Sequence, residues 1–517
     1  MILRSLLVGA SLLSTLAVTP ALAEVTISHI GSIKSEAAGE GAAEIVDYHP
    51  ASKRLFISNA AGSVDIVDIS NPREPKKVTR IDTAPYGAGV NSVAISKDGV
   101  VALAIEAQPK TAPGKIVFFN TDGKHRATVN ACALPDMVTF TPDGRYAVAA
   151  CEGEANQAYD VDPEGAVAIV DLSKGVESLN DSAVKIADFK AWDSKGAPEG
   201  ARIGKPGTPF SKDVEPEYIA IAPDSQTAYV TLQENNAIAI VDLAEGKVKD
   251  VVGLGWKDHS KIPLDVSDKD GGINIRTWPI WGMYMPDSIA AFTVGGQTYY
   301  AIANEGDSRD WKGWSEEARV ADLTLDEKAF PNAKELQAPA ALGRLKTTKT
   351  MGDADGDGKY DKIFSYGGRS FSILDSNARM IFDSADQFEQ YIAKHEPKNF
   401  NSNHEKNGSF DDRSDDKGIE PEAITTGVIN GVPYIFIGFE RQGGFMVYSA
   451  ADPKAPKFEA YFTTRNFDGD VKKGTAGDLG PEGFKFISAE QSPTGKPMLA
   501  AAHEISGTTA LYEITVK

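Results

Sequence analysis

Cysteine is nearly absent from this 517-residue chain: Cys132 and Cys151 are the only two, so at most one internal disulfide is available. The pair flanks one expected strand pair, which leaves two readings open, a disulfide in an oxidising compartment or two separate buried thiols. Basic charge is in deficit as well. The 53 Lys and Arg against 73 Asp and Glu give a net charge of −20. Phosphate backbones demand a basic footprint and no Lys/Arg cluster supplies one, so nucleic acid is not expected as a partner. The seven histidines are dispersed, and His503-Glu504-Ile505-Ser506-Gly507 fails the H-E-x-x-H zinc pattern. There is no G-x-S-x-G elbow, Walker loop, dinucleotide fingerprint or C-x-x-C-H haem motif. Any nucleophile would therefore be a metal-bound water, or a Ser or Thr outside these motifs. Beyond residues 6–18, no apolar run approaches the ~20 residues that span a bilayer.

That one apolar run, with Arg4 before it and Ala21-Leu22-Ala23 after it, reads as a cleavable secretory signal over residues 1–23. The expected product is a soluble periplasmic or secreted protein without a membrane span, its chain stopping at Lys517 with no anchoring tail. Charged residues at 24% and hydrophobic ones at 42% agree with a soluble globular body.

What the sequence has in quantity is a repeat of short strands. Its clearest copy is YIAIAPDSQTAYVTLQENNAIAIVDL, starting at Tyr218. Related copies begin at Glu44, Ser92, Met137, Ser288, Ala423 and Gly483, and a degenerate one, IFSYGGRSFSILDSNARMIFDS, at Ile363. Period-two alternation broken by Asp-Gly, Pro-Asp and Asn-Gly turns predicts antiparallel strands. Tandem units of three to four strands predict an all-β fold, a single β-propeller over residues 24–517. Eight candidate units favour eight blades, with seven the other count. A parallel β-solenoid is the alternative, but its rungs would be shorter and more uniform. The strand after the signal is expected to complete the last blade. Insertions interrupt the rhythm near 191–214, 253–286, 310–350 and 384–418. Residues 384–395 predict a helix, with Ser384 and Gln387 as a capping box.

Aligning the units puts Glu44, Asn91, Asp136, Glu217, Asp287, Glu422 and Glu482 just before the inner strands, five of them after a proline. Glu106, Glu152, Glu234, Glu305, Glu440 and Glu504 end the second strands. In a propeller both positions lie on one face, so twelve carboxylates would converge on one mouth. Such a cluster repels itself unless protonated or neutralised by cations. Oxygen-rich sites suit calcium or another hard divalent cation rather than zinc or copper. The expected metal ligands are Glu305, Asp307, Glu422, Glu440, Glu482 and Glu504. For each acid taken singly, capping of a turn is the competing role. Asp353, Asp355, Asp357 and Asp361, with Gly at position 6, match most of a calcium loop, though Phe364 stands where the bidentate Glu belongs. The loop falls between the first and second strands of its unit, a placement that predicts the face opposite the mouth. Arg309, Arg369, Arg413 and Arg441 lie among these acids. Guanidinium forks of this kind clamp phosphate in a catalytic site, or pair with the acidic loops.

On the stretches LPDMVTFTPDGRY, VDPEGAVAIVDLS, ANEGDSRDW, GDADGDGKYDKIFSYGGRSFSI, DDRSDDKGIEPEAI, GFERQGGFMVYS and GDLGPEGFKFI, the chain resembles the choice-of-anchor I family, related to mesenchyme-specific cell-surface glycoproteins. The resemblance spans nearly the whole mature chain and implies an exported WD40/YVTN-like propeller. Members often carry the label alkaline phosphatase. Two functions follow. One is a calcium-dependent phosphoric ester hydrolase acting on a small phosphorylated substrate, with the four arginines as the phosphate clamp. The other is a non-catalytic propeller that grips an extracytoplasmic protein or glycan and uses calcium for stiffness. The arginines separate them, since only the first needs their guanidinium groups free.

Overall fold

The repeat's aliphatic-x-aliphatic-x-Asp element is a strand whose last residue builds the turn that follows it. Asp68 accepts a hydrogen bond from the Ser70 amide at 2.7 Å, Asp171 from Ser173 at 2.9 Å and Asp242 from Glu245 at 2.8 Å. A short carboxylate bonding two or three residues ahead holds the chain in a tight turn, so the acid recurs for a local reason. The aliphatic residues before it are buried on both sides, as in Ala166–Asp171 and Ala237–Asp242. Such strands belong to a sheet covered on both faces.

A computed structural model of the chain describes residues 25–36, 41–59 and 62–517. The expected signal segment lies outside the described residues. Seven four-stranded antiparallel sheets succeed one another, and each begins with its innermost strand. These strands are Val46–His49, Gly89–Ile95, Pro135–Phe140, Pro216–Ile221, Ile289–Val294, Pro421–Ile429 and Pro481–Ile487, heading blades 1 to 7. Each innermost strand packs on the next, and the seventh packs on the first, closing a ring. Val25–Lys34 pairs antiparallel with Thr508–Val516 as the outermost strand of blade 7, so the two ends of the chain lock the ring together. Neighbouring blades share apolar layers. Val148 and Ile169 of blade 3, for example, bury against the same cluster as Val230 and Ala239 of blade 4.

The favoured count of eight blades is corrected to seven among the described residues. The degenerate eighth unit contains Ser370–Leu374 and Met380–Asp383, which are the third and fourth strands of blade 5. Residues 305–369 are inserted after that blade's second strand, Gln297–Asn304. The insertion split one repeat so widely that its halves read as two.

Strand direction then decides where the insertions go. The first strand of each blade leaves the mouth face and the second returns, so connections from second to third strand, and from fourth strand to the next blade, all emerge at the mouth. Segments 152–165, 189–215, 254–288, 305–369, 384–420 and 463–480 are of this kind. Two of them build a five-stranded sheet from Trp256–Asp258, Trp281–Met283, Phe364–Ser365, Lys346–Thr348 and Glu317–Arg319. Its own core includes Leu264, Trp278, Val320, Leu345 and Ile363. The predicted helix spans Gln387–His395 and buries Phe388 and Ile392, but the capping box does not form. Ser384 Oγ accepts instead from the Phe371 amide at 3.0 Å. No helix among the described residues is long and apolar enough to cross a membrane.

Cys132 and Cys151 form a disulfide. It joins the outermost strand of blade 2, His125–Ala133, to the second strand of blade 3, Tyr146–Cys151. Closing a loop of this length removes unfolded-state entropy worth about 3 kcal/mol. The double variant Cys132→Ser/Cys151→Ser is expected to lose about that much stability in urea unfolding. A midpoint equal to the wild type would show that the bridge contributes nothing.

Candidate metal centre

The proline-acid pairs at the blade starts mark a backbone irregularity. Pairing with the second strand shifts register between Pro135 and Val138, Pro216 and Ile219, Pro421 and Ile424, and Pro481 and Gly483. The residue after the proline, Asp136, Glu217, Glu422 or Glu482, sits in each bulge. Proline fits a bulge because it has no ladder hydrogen to give, and a bulge re-aims a side chain. These acids therefore do not cap turns; they are released from the sheet and meet at the mouth. Asp287 follows Pro286 and reaches the same place: its amide donates to the Ala303 carbonyl at 3.1 Å while the Ala303 amide donates to the Ser288 carbonyl at 3.1 Å, so two residues oppose one there as well.

Blades 3 to 6 contribute to three adjoining groups, in each of which one oxygen per residue lies within 4.8 Å of the others. They are Asp136, Glu152 and Glu217; Asp287, Glu305 and Glu422; and Glu305, Glu420 and Glu440. Burial, and then the neighbouring carboxylates, push Glu152, Glu217, Asp287, Glu422 and Glu440 up; burial also raises Glu305, against the pull of Lys417. Burial and Glu154 raise Asp136 to about 7. Asp136, Glu152 and Glu217 are half-buried.

Cations reach one side of this arrangement. Glu420 is fully buried and is met by Lys417 Nζ at 3.1 Å, Arg441 Nε at 3.2 Å and Arg413 Nε at 2.9 Å. Against the cost of burial, Lys417, Arg413 and Arg441 hold its carboxyl well below the usual range. Lys417 also reaches Glu305 at 2.5 Å. No cation figures among the main charges acting on Asp136, Glu152 or Glu217, all of them acids. Toward blades 5 and 6 the acids thus meet cations directly; toward blades 3 and 4, Lys110 and Arg309 reach Glu154 and Glu215, and Asp136, Glu152 and Glu217 feel mainly other acids.

The four arginines are engaged within the protein. Arg369 gives Nη1 to Glu389 and the Asp265 carbonyl, both at 2.6 Å, and Nη2 to the carbonyls of Ser414 and Asp416. It ties three mouth-face insertions together, so these donors are engaged within the protein and not free for a phosphate clamp. Arg413 pairs with Glu420 and with Asp416 at 3.0 Å; Arg441 pairs with Glu420, Glu440 and His404. Arg309 is buried and donates to Glu215 at 3.2 Å and to the Asp213 carbonyl. Of the expected metal ligands, Glu305, Glu422 and Glu440 fall in the groups above. Glu504 lies 3.8 Å from His404. Glu482 feels Glu504, Asp287 and Glu440 but joins no three-ligand group among the described residues. Asp307 is exposed at the rim, 4.0 Å from Lys417.

Asp353, Asp355 and Asp357 bring three oxygens within 4.8 Å of one another on an exposed loop. Asp353 accepts from the amides of Gly356 and Gly358, and Asp361 from that of Ala354. The loop belongs to the 305–369 insertion, which leaves blade 5 from the mouth face; its expected position opposite the mouth is corrected accordingly.

Sequence reasoning missed Glu420, Lys417, Glu215 and His404. The doublets Glu215-Pro216-Glu217 and Glu420-Pro421-Glu422 held the signal for two of them. In each, the acid before the proline meets a cation while the one after it enters the mouth.

Raised carboxyls make stability depend on pH. The folded protein keeps protons that the unfolded chain releases near the ordinary Asp value of 3.8, up to about 7 for Asp136. The metal-free protein is therefore expected to lose stability as pH rises from about 4 to about 7, the slope set by proton binding. Thermal melts across that window in chelator would show a falling midpoint; a midpoint that rises throughout would contradict the cluster.

A family model described as the choice-of-anchor I domain matches residues 44–453. Gigasin-3a of Magallana gigas is 31% identical over 194 residues, covering 35% of this chain and 66% of the relative. The mesenchyme-specific cell surface glycoprotein of Strongylocentrotus purpuratus is 28% identical over 313 residues, covering 52% of this chain and 39% of the relative. Among solved structures, the Cps50 (Swd1) β-propeller domain of Myceliophteria thermophila overlaps 95% of this chain and 100% of its own, at 8% identity and a TM-score of 0.48. That overlap is too loose to carry an argument. With the matched model running from the start of blade 1 into blade 6, the chain belongs to the choice-of-anchor I domain family.

Proposed function

We propose that this chain is an extracytoplasmic binding propeller, not a hydrolase, which takes a hard divalent cation, calcium first, at Asp136, Glu152 and Glu217. The observation that carries the reading is the contrast across the mouth: acids toward blades 5 and 6 meet Lys417, Arg413 and Arg441 directly, while the main charges acting on these three are other acids. Half-buried carboxylates at the edge of water offer oxygen ligands in a flexible arrangement, which suits calcium. The cell-surface name of the sea urchin relative and the signal-like N-terminus support a place outside the cytoplasm.

A phosphoric ester hydrolase needs donors free to grip phosphate as charge develops. Arg369, Arg413 and Arg441 already bind carboxylates or carbonyls, which favours the binding reading. Its partner is a protein or glycan held by the mouth-face loops, where long insertions on a rigid ring place recognition.

Titration calorimetry of the purified chain with calcium is expected to show binding, weakened about tenfold or more by Glu152→Gln, since affinity follows ligand charge. Calcium at about 100 times its Kd should add about 2.7 kcal/mol of stability. Phosphomonoester and phosphodiester substrates should stay intact with calcium or chelator. Turnover that chelator abolishes would restore the hydrolase reading, and absence of calcium binding would remove the metal.

A further inference from the structure

The loop over the mouth supplies one imidazole. His404 is 1% exposed, and its Nδ1 has no hydrogen-bond partner. That atom lies 3.4 Å from Glu440 Oε1 and 3.8 Å from Glu504 Oε1. All three ligand atoms fall within 4.8 Å of one another. Glu440 follows the second strand of blade 6, Val432–Phe439, and Glu504 that of blade 7, Met498–His503, so two blades and one loop converge. A buried polar atom left without a partner is destabilising, and a bound ion removes that cost.

We propose that His404, Glu440 and Glu504 form a second metal site, distinct from the calcium cluster and suited to a divalent first-row transition ion. The chemistry of the donors sets the class. Calcium takes oxygen ligands, whereas one imidazole with two carboxylates suits manganese, iron(II) or zinc and leaves positions open for water or a ligand group. Arg441 Nη1 contacts His404 Nε2, which places the imidazole hydrogen on Nδ1 in the metal-free protein. Loading the site moves that hydrogen to Nε2 and frees the Nδ1 lone pair. Arg441 must then turn Nη1 away, keeping Glu420 through Nε. The guanidinium therefore opposes the metal, and Arg441→Gln, which removes its charge and offers an acceptor to Nε2–H, tightens the site.

The test uses manganese alone on the full chain, read by electron paramagnetic resonance with detection of nitrogen-14 coupling. The wild type is expected to show one imidazole nitrogen bound to manganese. His404→Gln loses that coupling with affinity reduced more than about tenfold, and Arg441→Gln gains affinity. Absence of nitrogen coupling in the wild type overturns the proposal without relying on any variant, as does coupling that survives His404→Gln. Glu152→Gln separates the two sites: it weakens calcium and leaves the manganese–nitrogen signal unchanged.

Discussion

Like charges forced together inside a ring of sheets are the constraint around which this molecule is arranged. A seven-bladed closure brings the starts of the inner strands and the ends of the second strands to one rim, and the chain has placed an acid at most of those positions. Each must be protonated, paired or metal-bound, because ionised carboxylates at such separations cannot coexist in a partly desolvated channel. Protonation serves Asp136 below about pH 7, and side-chain cations serve Glu305, Glu420 and Glu440. Asp136, Glu152 and Glu217, toward blades 3 and 4, have other acids as their main neighbouring charges.

Scaffold and loops divide the work by charge. The converging acids come from the blades, held by bulges that cannot shift without breaking the sheet. Most of the cations come from the insertions: Arg413 and Lys417 from residues 384–420, Arg309 from residues 305–369. The acidic rim is thereby a template that orders the cap above it. Arg369, held between Glu389 and three carbonyls, takes part in that ordering. Loops docked through buried ion pairs gain definition more than net stability, since desolvation offsets much of the attraction.

Most of the ring was legible because its signals are local. Period-two runs and turn-forming Asp residues such as Asp171 and Asp242 act within a few residues, so a sequence displays them. The convergence of acids was legible for the same reason, multiplied by symmetry. Blade number was not, because residues 305–369 separate Gln297–Asn304 from its partner Ser370–Leu374 by more than a repeat length. Nor were the arginine roles. A guanidinium near acids in sequence has the same composition whether it clamps a ligand or pairs internally, and only the distances from Arg413 and Arg441 to Glu420 decide. His404 stayed hidden because its partners, Glu440 and Glu504, are brought to it by blades rather than by spacing.

The central claim is that the carboxylates toward blades 3 and 4 hold protons which a calcium ion replaces. Calorimetric titration with calcium near pH 6, repeated in buffers of different ionisation enthalpy, counts the protons released per ion. The account predicts release of about one proton or more, because ligands must ionise to bind metal. Calcium that binds with no proton release would contradict it.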